Sequence, residues 1–424
     1  MAFLKVLRMR HLAVLWLSQV LSAMGDYLYD IAVLWIAVKS VGSGAGIVAA
    51  AEAGSMLIFG LLGGVYADRW DRQRVMVVAD ILRAIAVSVL PILALSGLLQ
   101  LWHLVIVAII IGSLSSLFDP ALQASLPVLT TDTQMLQATN GLMDTTRRLA
   151  RILGPGTAGL LIALLPLPHF FTLDAVSFGI SAAVVLSLGR HYVWKPLPGE
   201  TVQRGVRGIL AEIGGAMRLV HKHRPLAWAI GVNGLISFLW GSAFIVGVPL
   251  LTYRVLGDNV GAYGFIVGAY GVGNVISNVV IGSLTIRHRV ATIFAGKVIL
   301  GGGFLLVAFA HTLWAALLGS ALAAVGGPMG DVMTITIMQT DLPANQIGKV
   351  FSLRMILESA GGSLGLLFAV PLFALLSVPV AIALCALAMS AIGIAGLVRF
   401  GFTEPIVTLG TQETEKFANN NQKE

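Results

Sequence analysis

The sequence predicts an all-α polytopic membrane protein with twelve transmembrane helices in two six-helix halves. Of its 424 residues, 57% are hydrophobic and only 11% are charged, whereas soluble domains average about 25% charged residues. Apolar runs of roughly 18 or more residues recur along the chain, and each is long enough to cross a hydrocarbon core of about 30 Å. A polar interval at 190–225 separates six of these runs from the other six.

Charges, glycines and prolines bound each apolar run and so set the predicted spans. The runs fall near 12–38, 45–66, 75–97, 102–123, 138–164, 169–189, 226–252, 260–284, 291–309, 312–338, 348–373 and 378–399. The first run follows basic residues as a signal peptide would, but it is too long and carries acidic residues, so we interpret it as a span. The predicted domains are an N-terminal half (1–189), a cytoplasmic central loop (190–225), a C-terminal half (226–399) and a polar cytoplasmic tail (400–424).

Basic residues are concentrated in alternate loops, which predicts the orientation. One set of loops contains Lys5, Arg8, Arg10, Arg69, Arg72, Arg74, Arg287, Arg289, Lys349 and the basic residues of 190–225, and the other contains Lys39 and Arg254. Because positively charged loops stay in the cytoplasm, both termini are predicted to be cytoplasmic, in the inner (cytoplasmic) cell membrane. The same placement argues against nucleic-acid binding despite the net charge of +7.

The central loop contains an amphipathic pattern. Apolar residues at helical spacing (Val206, Ile209, Leu210, Ile213, Met217, Val220) alternate with basic ones (Arg204, Arg207, Arg218, Lys222). This pattern predicts a helix on the cytoplasmic membrane surface that joins the two halves. A soluble linker helix fits the pattern equally well.

The stretch "GGVYADRWDRQR", residues 63–74, concentrates charge in the loop between spans two and three. It contains Gly64, Asp68, Arg69, Asp71, Arg72 and Arg74. Asp68 can accept hydrogen bonds from a neighbouring helix N-terminus, and the arginines can pair with it or with lipid phosphates. We predict that this charged loop is a latch that holds in one conformation and breaks in another. Ordinary positive-inside anchoring is the alternative, although anchoring does not need the two aspartates.

This loop resembles motif A of the major facilitator superfamily, G-x-x-x-D-R-x-x-R-x-R. Span five resembles motif C of the drug:proton antiporter branch, whose pattern falls on Gly141, Ala150, Gly154, Pro155, Ala158 and Gly159, with alanine for glycine twice. Small residues of this kind let helices pack closely. The strings "SAMGDYLYDIA" and "FDPALQASLP" are similar to the twelve-span subfamily that includes macrolide efflux proteins and the enterobactin exporter.

The resemblance implies the major facilitator fold, a cytoplasmic gate around the charged loop, and proton antiport. One departure concerns coupling. Motif B of other antiporters places an arginine in span four, and "LVIVAIIIGSLSSLF" contains none. Proton coupling would therefore have to use other groups.

Carboxylates within the apolar spans are the candidate coupling residues, because a charge in the bilayer interior is costly and usually faces a cavity. Gln19, Ser22, Asp26 and Asp30 recur on one face of span one, and Glu52 lies early in span two. Burial favours the neutral carboxyl group, a form that a proton carrier must adopt. We predict that Asp26 and Glu52 are the coupling pair, at similar depth in the outer half of the membrane and facing the central cavity. A structural hydrogen bond is the alternative for Asp26, and Asp30, Gln19 and Glu358 are further cavity candidates.

Other polar residues are predicted to serve structure or gating. Arg354 and Glu358, like Asp144 and Arg148, have the i,i+4 spacing of pairs within a helix. Asp80, Arg83, Asp119 and Asp331 lie near predicted cytoplasmic span ends and are expected to join the gate. Asn233, Asn274 and Asn278 are expected to form helix–helix hydrogen bonds, with substrate contacts as the alternative.

The sequence predicts a transporter and not an enzyme. It contains no G-x4-G-K-[ST] loop for ATP, no convincing Ser-His-Asp set and a single cysteine, Cys385. We expect no cofactor or metal, with the proton as coupling ion, and a monomer in the lipid bilayer. The predicted function is proton-coupled export of amphipathic, drug-like or macrolide-like molecules by alternating access. The alternatives are a siderophore or lipid-like metabolite exporter of the same architecture and a non-transporting membrane scaffold or sensor.

Overall fold

The structure is a computed structural model that describes residues 6–66, 71–130, 164–188, 224–257, 259–284, 286–342 and 344–400, with isolated positions between 135 and 161 and between 214 and 220. All regular elements in these ranges are helical. The N-terminal half contains α1 (Arg10–Val41), α2 (Ala45–Tyr66), α3 (Arg72–Leu95), α4 (Leu101–Leu129) and α5 (Pro168–Leu188). The C-terminal half contains α6 (Arg224–Trp240), α7 (Val248–Arg254), α8 (Val260–Ser283), α9 (Arg289–Ala308), α10 (Leu313–Asp341), α11 (Ala344–Leu375) and α12 (Val378–Phe400).

Eleven of the twelve predicted spans are found as helices among the described residues. Ten stretches of the described chain are long and apolar enough to cross a membrane, and the first of them, Arg10–Phe59, covers α1 and most of α2. A short 3-10 turn, Gly42–Gly44, separates these two helices, and Gly42 has a φ of 60° that favours glycine. The fifth predicted span, 138–164, lies almost wholly outside the described residues.

The seventh predicted span is interrupted. A seven-residue π-helical segment, Gly241–Gly247, connects α6 to α7. Pro249 lies in the first turn of α7 and has no N–H to donate to the carbonyl of Ile245. Local π adjustments are a common way for membrane helices to accommodate a proline. The glycines at both ends of the segment allow close packing: an added methyl group at Gly241 would lie 3.1 Å from the Gly362 carbonyl oxygen, and one at Gly247 would lie 2.9 Å from Ile382 Cγ1.

Two other element boundaries follow from local chemistry. Asp71 caps α3, since its Oδ1 accepts a hydrogen bond from the Arg74 backbone N–H at 3.1 Å. Helix α4 continues to Leu129, beyond the predicted end at 123. Pro120 and Pro127 both lie within it, since a membrane helix tolerates proline where neighbouring groups satisfy the freed carbonyls.

Buried apolar side chains form three clusters. The largest contains residues of both halves, which meet at the helix ends farthest from the chain termini, here called the far end, and it extends through the C-terminal half to Phe294 and Phe400. The other two clusters lie at the opposite, terminal end. One contains Leu12, Met76 and Leu126 of the N-terminal half, and the other contains Met338 and Leu353 of the C-terminal half. In the described part of the chain, the halves therefore share a core at the far end and keep separate cores at the terminal end.

The predicted central-loop helix and the tail from residue 401 lie outside the described residues, apart from a few helical positions at 214–220. Among these, Met217 is exposed and Val220 is buried in the terminal-end cluster of the C-terminal half. The domain boundaries proposed from the sequence stay a prediction.

Candidate functional site

A cavity of about 600 Å³ lies between the two halves. Helices α1 and α2 form one wall, and α6, the π segment and α8 form the other, with Leu366 of α11 completing the lining. Most of the lining is apolar, and its polar groups include Asp30, Glu52, Asn274 and Asn278. A largely apolar cavity with a few polar groups is typical of a small-molecule site.

Aromatic side chains build the wall on the C-terminal half. Trp240 and Phe244, one helical turn apart at the start of the π segment, stack with ring centroids 5.2 Å apart. Tyr270 of α8 lies 4.3 Å from the Phe244 ring centroid, and its hydroxyl accepts a hydrogen bond from Trp240 Nε1 at 3.0 Å. These contacts fix the three rings as one surface against which an apolar ligand can pack.

The cavity is closed at the far end by contacts between the halves. The Trp35 ring of α1 stacks on Tyr263 at 5.8 Å and meets Tyr253 edge-on at 6.3 Å. Gly46 of α2 packs directly against the carbonyl oxygen of Leu366, so that a methyl group there would collide with α11. Close approach of backbones at a glycine is the usual means of tight helix contact in membranes.

The predicted coupling residues lie around two connected spaces. Glu52 and Asp30 line the central cavity. Asp26 lines a smaller pocket of about 280 Å³ inside the N-terminal half, here called the inner pocket, and Asp30 and Tyr27 border both spaces. The structure thus differs from the prediction that Asp26 faces the central cavity. Asp30, one turn further along α1, occupies that position.

The prediction that Asp26 and Glu52 lie at similar depth is also corrected. At 1.5 Å per residue, Asp26 is about 22 Å along α1 from Val41, whereas Glu52 is about 10 Å along α2 from Ala45. Asp26 lies at the middle of its 32-residue helix. Asp30 is nearer to Glu52 in depth, and all three carboxylates lie within electrostatic reach of one another.

The inner pocket is polar and includes a buried cation. Arg83 of α3 donates from Nη2 to Asp80 Oδ1 at 2.6 Å, and its guanidinium lies 4.5 Å and 4.6 Å from the ring centroids of Phe118 and Phe178. Asp119 and Gln19 also line this pocket, and Gln19 Nε2 donates to Ser181 Oγ at 3.1 Å. The sequence placed Asp80, Arg83 and Asp119 at the gate, whereas the structure brings Arg83 and Asp119 to the wall of an internal pocket.

Sequence reasoning missed Asp174. It lies on α5, is only 1% exposed, and packs so closely against α1 that a methyl group at Gly25 would come within 2.6 Å of its Oδ1. The Ser177 hydroxyl lies 3.4 Å from the same oxygen, and Asp26, Asp30 and Arg83 are within electrostatic reach. A lone acidic residue in an apolar span is the signal that could have found it.

Tyr29 lies among these carboxylates. It is 2% exposed, its ring meets Phe171 edge-on at 5.9 Å, and its hydroxyl has no hydrogen-bond partner among the described residues. Glu52, Asp30, Asp174 and Asp26 all act on it electrostatically. The hydroxyl is therefore a donor available within the acidic cluster.

The C-terminal half contains a balanced charge network. Arg354 of α11 donates from Nε to Glu358 Oε1 at 2.6 Å and from Nη2 to Asp331 Oδ1 at 2.8 Å. The predicted Arg354–Glu358 pair is thereby confirmed. Lys297 of α9, which the sequence analysis also missed, is 3% exposed and directs its ammonium toward Gly330, within electrostatic reach of Asp331.

The asparagines divide between two roles. Asn233 Nδ2 donates to Glu358 Oε1 at 3.3 Å, which is the expected helix–helix hydrogen bond. Asn278 Nδ2 donates to the Asn274 carbonyl oxygen at 2.9 Å within α8, and both side chains line the central cavity.

Several predicted motif residues lie outside the described part of the chain: Asp68 and Arg69 of the charged loop, and Gly141, Gly154, Pro155 and Gly159 of span five, together with Asp144 and Arg148. Gly64 lies in the last turns of α2, Arg72 begins α3, and the Arg74 side chain is exposed. The latch and its partners stay predictions.

Comparison with known proteins decides the family. Residues 15–366 match the Major Facilitator Superfamily. The chain belongs to this superfamily. It is therefore a multi-pass membrane protein of a transporter family, and the predicted fold is confirmed.

The relatives include drug efflux proteins at modest identity. Macrolide efflux protein A of Streptococcus pyogenes is 26% identical over 228 residues, which cover 53% of this chain and 55% of that protein. The match thus spans about half the length of that relative. The multidrug efflux pump Tap of Mycolicibacterium fortuitum is 25% identical over 358 residues, covering 82% of this chain and 85% of that protein. Tap of Mycobacterium bovis is 26% identical over 366 residues, with coverage of 84% and 85%.

Solved structures share the fold of this major facilitator protein. A peptide transporter superposes with a TM-score of 0.68 at 13% identity, covering 92% of this chain and 95% of that one. A bacterial homologue of the human lysosomal transporter Spinster, in an inward-facing and unoccupied conformation, gives 0.63 at 12% identity, with coverage of 94% and 95%. At these identities the likeness shows the fold alone.

Proposed function

We propose that this transporter exports amphipathic small molecules, of the drug or macrolide type, by proton antiport with alternating access. The observation that carries the proposal is the central cavity. It pairs an aromatic wall on one half with two carboxylates, Asp30 and Glu52, on the other. Such a cavity suits a ligand with an apolar body and a basic or hydrogen-bond-donating group. The names of the relatives, macrolide efflux protein and multidrug efflux pump, favour the same substrate class.

Alternating access accounts for the asymmetric contacts between the halves. We place both termini in the cytoplasm and the protein in the inner membrane. The closed far end then faces outside, and the terminal end faces the cytoplasm. The separate cores at the terminal end then favour a state that receives substrate from the cytoplasm. Opening outward requires the shared far-end core to part, as in transporters whose halves rock about a central site.

Coupling is assigned to the buried carboxylates of the N-terminal half. Several acidic groups in a poorly hydrated site cannot all be ionised together, so they are suited to bind protons. Protons entering from outside neutralise Glu52, Asp30, Asp26 and Asp174 and remove the charge penalty for closing an empty cavity. Their release inside restores the charge that attracts a cationic or polar substrate group. These groups also offer coupling without the span-four arginine.

The proposal includes the remaining expectations from the sequence. The charged loop acts as the cytoplasmic latch, the small residues of span five let helices pack closely, and the protein acts as a monomer in the bilayer with the proton as coupling ion.

Export should be tested in an efflux-deficient host with a panel of macrolides, cationic dyes and siderophores. Lower accumulation of macrolides or dyes that returns to normal with a protonophore supports the proposal. Unchanged accumulation of every compound would instead favour a scaffold or sensor.

Asp174 is expected to take part in coupling. In Asp174→Asn, a group of nearly the same shape can no longer bind or release a proton. We expect fewer protons to be released when substrate binds to the purified protein, measured with a pH-sensitive dye in weak buffer. Ser177→Ala is the matched control, because it removes a neighbouring hydroxyl and leaves the carboxyl group in place. The lost hydrogen bond lowers the stability of the fold by about 1–3 kcal/mol. Equal proton release in wild type and Asp174→Asn would make Asp174 a structural residue.

A further inference from the structure

A second chamber of about 420 Å³ adjoins the central cavity on the side of α11. It is lined by residues of α2, α6, the π segment and α11. Five residues border both spaces: Ala53, Met56, Trp240, Ile245 and Leu366. The two chambers are therefore neighbouring compartments of one site, and Trp240 of the aromatic wall belongs to both.

The second chamber has its own polar groups. Glu358 lines it together with Ser237, Ser359 and Ser363. The Ser363 hydroxyl donates to the Ser359 carbonyl oxygen at 2.9 Å and so keeps its lone pairs to accept from a ligand. These side chains lie on α6 and α11, whereas α2 contributes the apolar residues Ala53 and Met56 to the lining.

The Glu358 carboxylate is held in one orientation. Arg354 Nε and Asn233 Nδ2 both donate to its Oε1, at 2.6 Å and 3.3 Å. In the described part of the chain, Oε2 has no such bond and can accept from a ligand. An ionised carboxylate only accepts hydrogen bonds, so the matching ligand group is a hydroxyl or an amine.

We infer that the second chamber binds part of the transported molecule, so that the preferred substrates are bulky amphipathic compounds with polar groups at two ends. One end, a basic nitrogen, lies near Asp30 and Glu52, and the other, a hydroxyl or amine, reaches Glu358. The apolar body of the substrate packs between them on the aromatic wall, which contains Trp240. Ligand cavities usually measure about 300–1,000 Å³, and chambers of about 600 and 420 Å³ together reach the top of that range. This inference rests on the proposed export function and adds the size and polarity of the substrate.

Filling the second chamber provides the test. Gly362 of α11 lines the second chamber, and a methyl group added there meets no atom within 4 Å. The leucine of Gly362→Leu can therefore extend into the chamber without a clash at its Cβ atom. Gly179→Leu on α5 is the matched control, because Gly179 is equally unobstructed and lies on the exposed surface of its helix. Ser363→Leu is a second filling variant, for use should Gly362→Leu fail to insert.

The probes are erythromycin, which is bulky and carries an amine and several hydroxyls, and ethidium, a compact cation. In proteoliposomes with a proton gradient, we expect Gly362→Leu and Ser363→Leu to raise the erythromycin KM about tenfold or more and to change that of ethidium by about twofold or less. Gly179→Leu should match wild type for both. Equal loss of both substrates, or unchanged erythromycin transport in both filling variants, overturns the inference while export stands. A wild-type protein that transports neither overturns the proposed function and this inference with it.

Discussion

Glu52→Gln is expected to lower gradient-driven export about a hundredfold while leaving substrate binding measurable. Glu52 lines the central cavity and lies within electrostatic reach of Asp30 and Asp26. Placing a charged side chain in the membrane interior costs roughly 2.5–3.5 kcal/mol. The glutamine of the variant is always neutral, so the variant cannot switch between the charged and neutral states. Since about 2.7 kcal/mol corresponds to a hundredfold change in an equilibrium, we expect export against a gradient to fall by about that factor.

Two transport modes in one preparation provide the control for this prediction. Proteoliposomes loaded with substrate measure counterflow, which needs both conformations but no proton movement, and an imposed pH gradient measures coupled export. Glu52→Gln should retain counterflow and lose the response to the gradient. Loss of both modes would show that the variant disturbs folding or the cavity, and retention of both would remove Glu52 from the coupling mechanism.

Gly46→Ala is expected to hold the far end open. The added methyl group would overlap the Leu366 carbonyl oxygen and lie 3.4 Å from the Val246 side chain, so α2 and α11 must separate. Overpacking of this kind costs about 1–3 kcal/mol, and only the closed state bears that cost. We expect export to fall about tenfold or more, because the conformational equilibrium shifts toward the state in which the halves part.

Cysteine labelling reports this shift directly. An Ala49→Cys reporter lines the central cavity just inside the closed contacts, and the buried native Cys385 can be replaced by alanine. A membrane-impermeant maleimide applied to the far-end face should label the reporter faster in Gly46→Ala than in the parent. Gly54→Ala, on the same helix with no atom within 4 Å of the added methyl, should match the parent. Identical labelling in all three proteins would contradict a role for Gly46 in closure.

The sequence determines the helices of this protein well, because the length of an apolar run is a strong local signal. The described spans begin and end within a few residues of the predicted ones in most cases. The interruption at Gly241–Gly247 was not predicted, since it depends on how Pro249 is accommodated and not on hydrophobicity. The end of α4 was placed too early because the apolar run ends near Gln123, whereas the helix itself continues to Leu129.

The candidate site was predicted only in part. Periodicity within α1 correctly grouped Asp26 with Asp30, but which of them faces the central cavity depends on the neighbouring helices. Asp174 and Lys297 belong to the buried charge clusters through contacts with α1 and α10 that no spacing along the chain reveals. Single charged residues in α5 and α9 were nevertheless visible as exceptions in apolar spans.

The shared core at the far end makes the conformational balance depend on temperature. Residues such as Trp35, Val38, Val246 and Leu251 are almost fully buried there, and part of this surface becomes hydrated when the far end opens. Exposure of apolar surface raises the heat capacity, so the free-energy difference between the two states curves with temperature instead of changing linearly. Hydrophobic closure weakens on cooling. A growth-temperature change would thus alter the resting population of the two states without any change in substrate or proton supply.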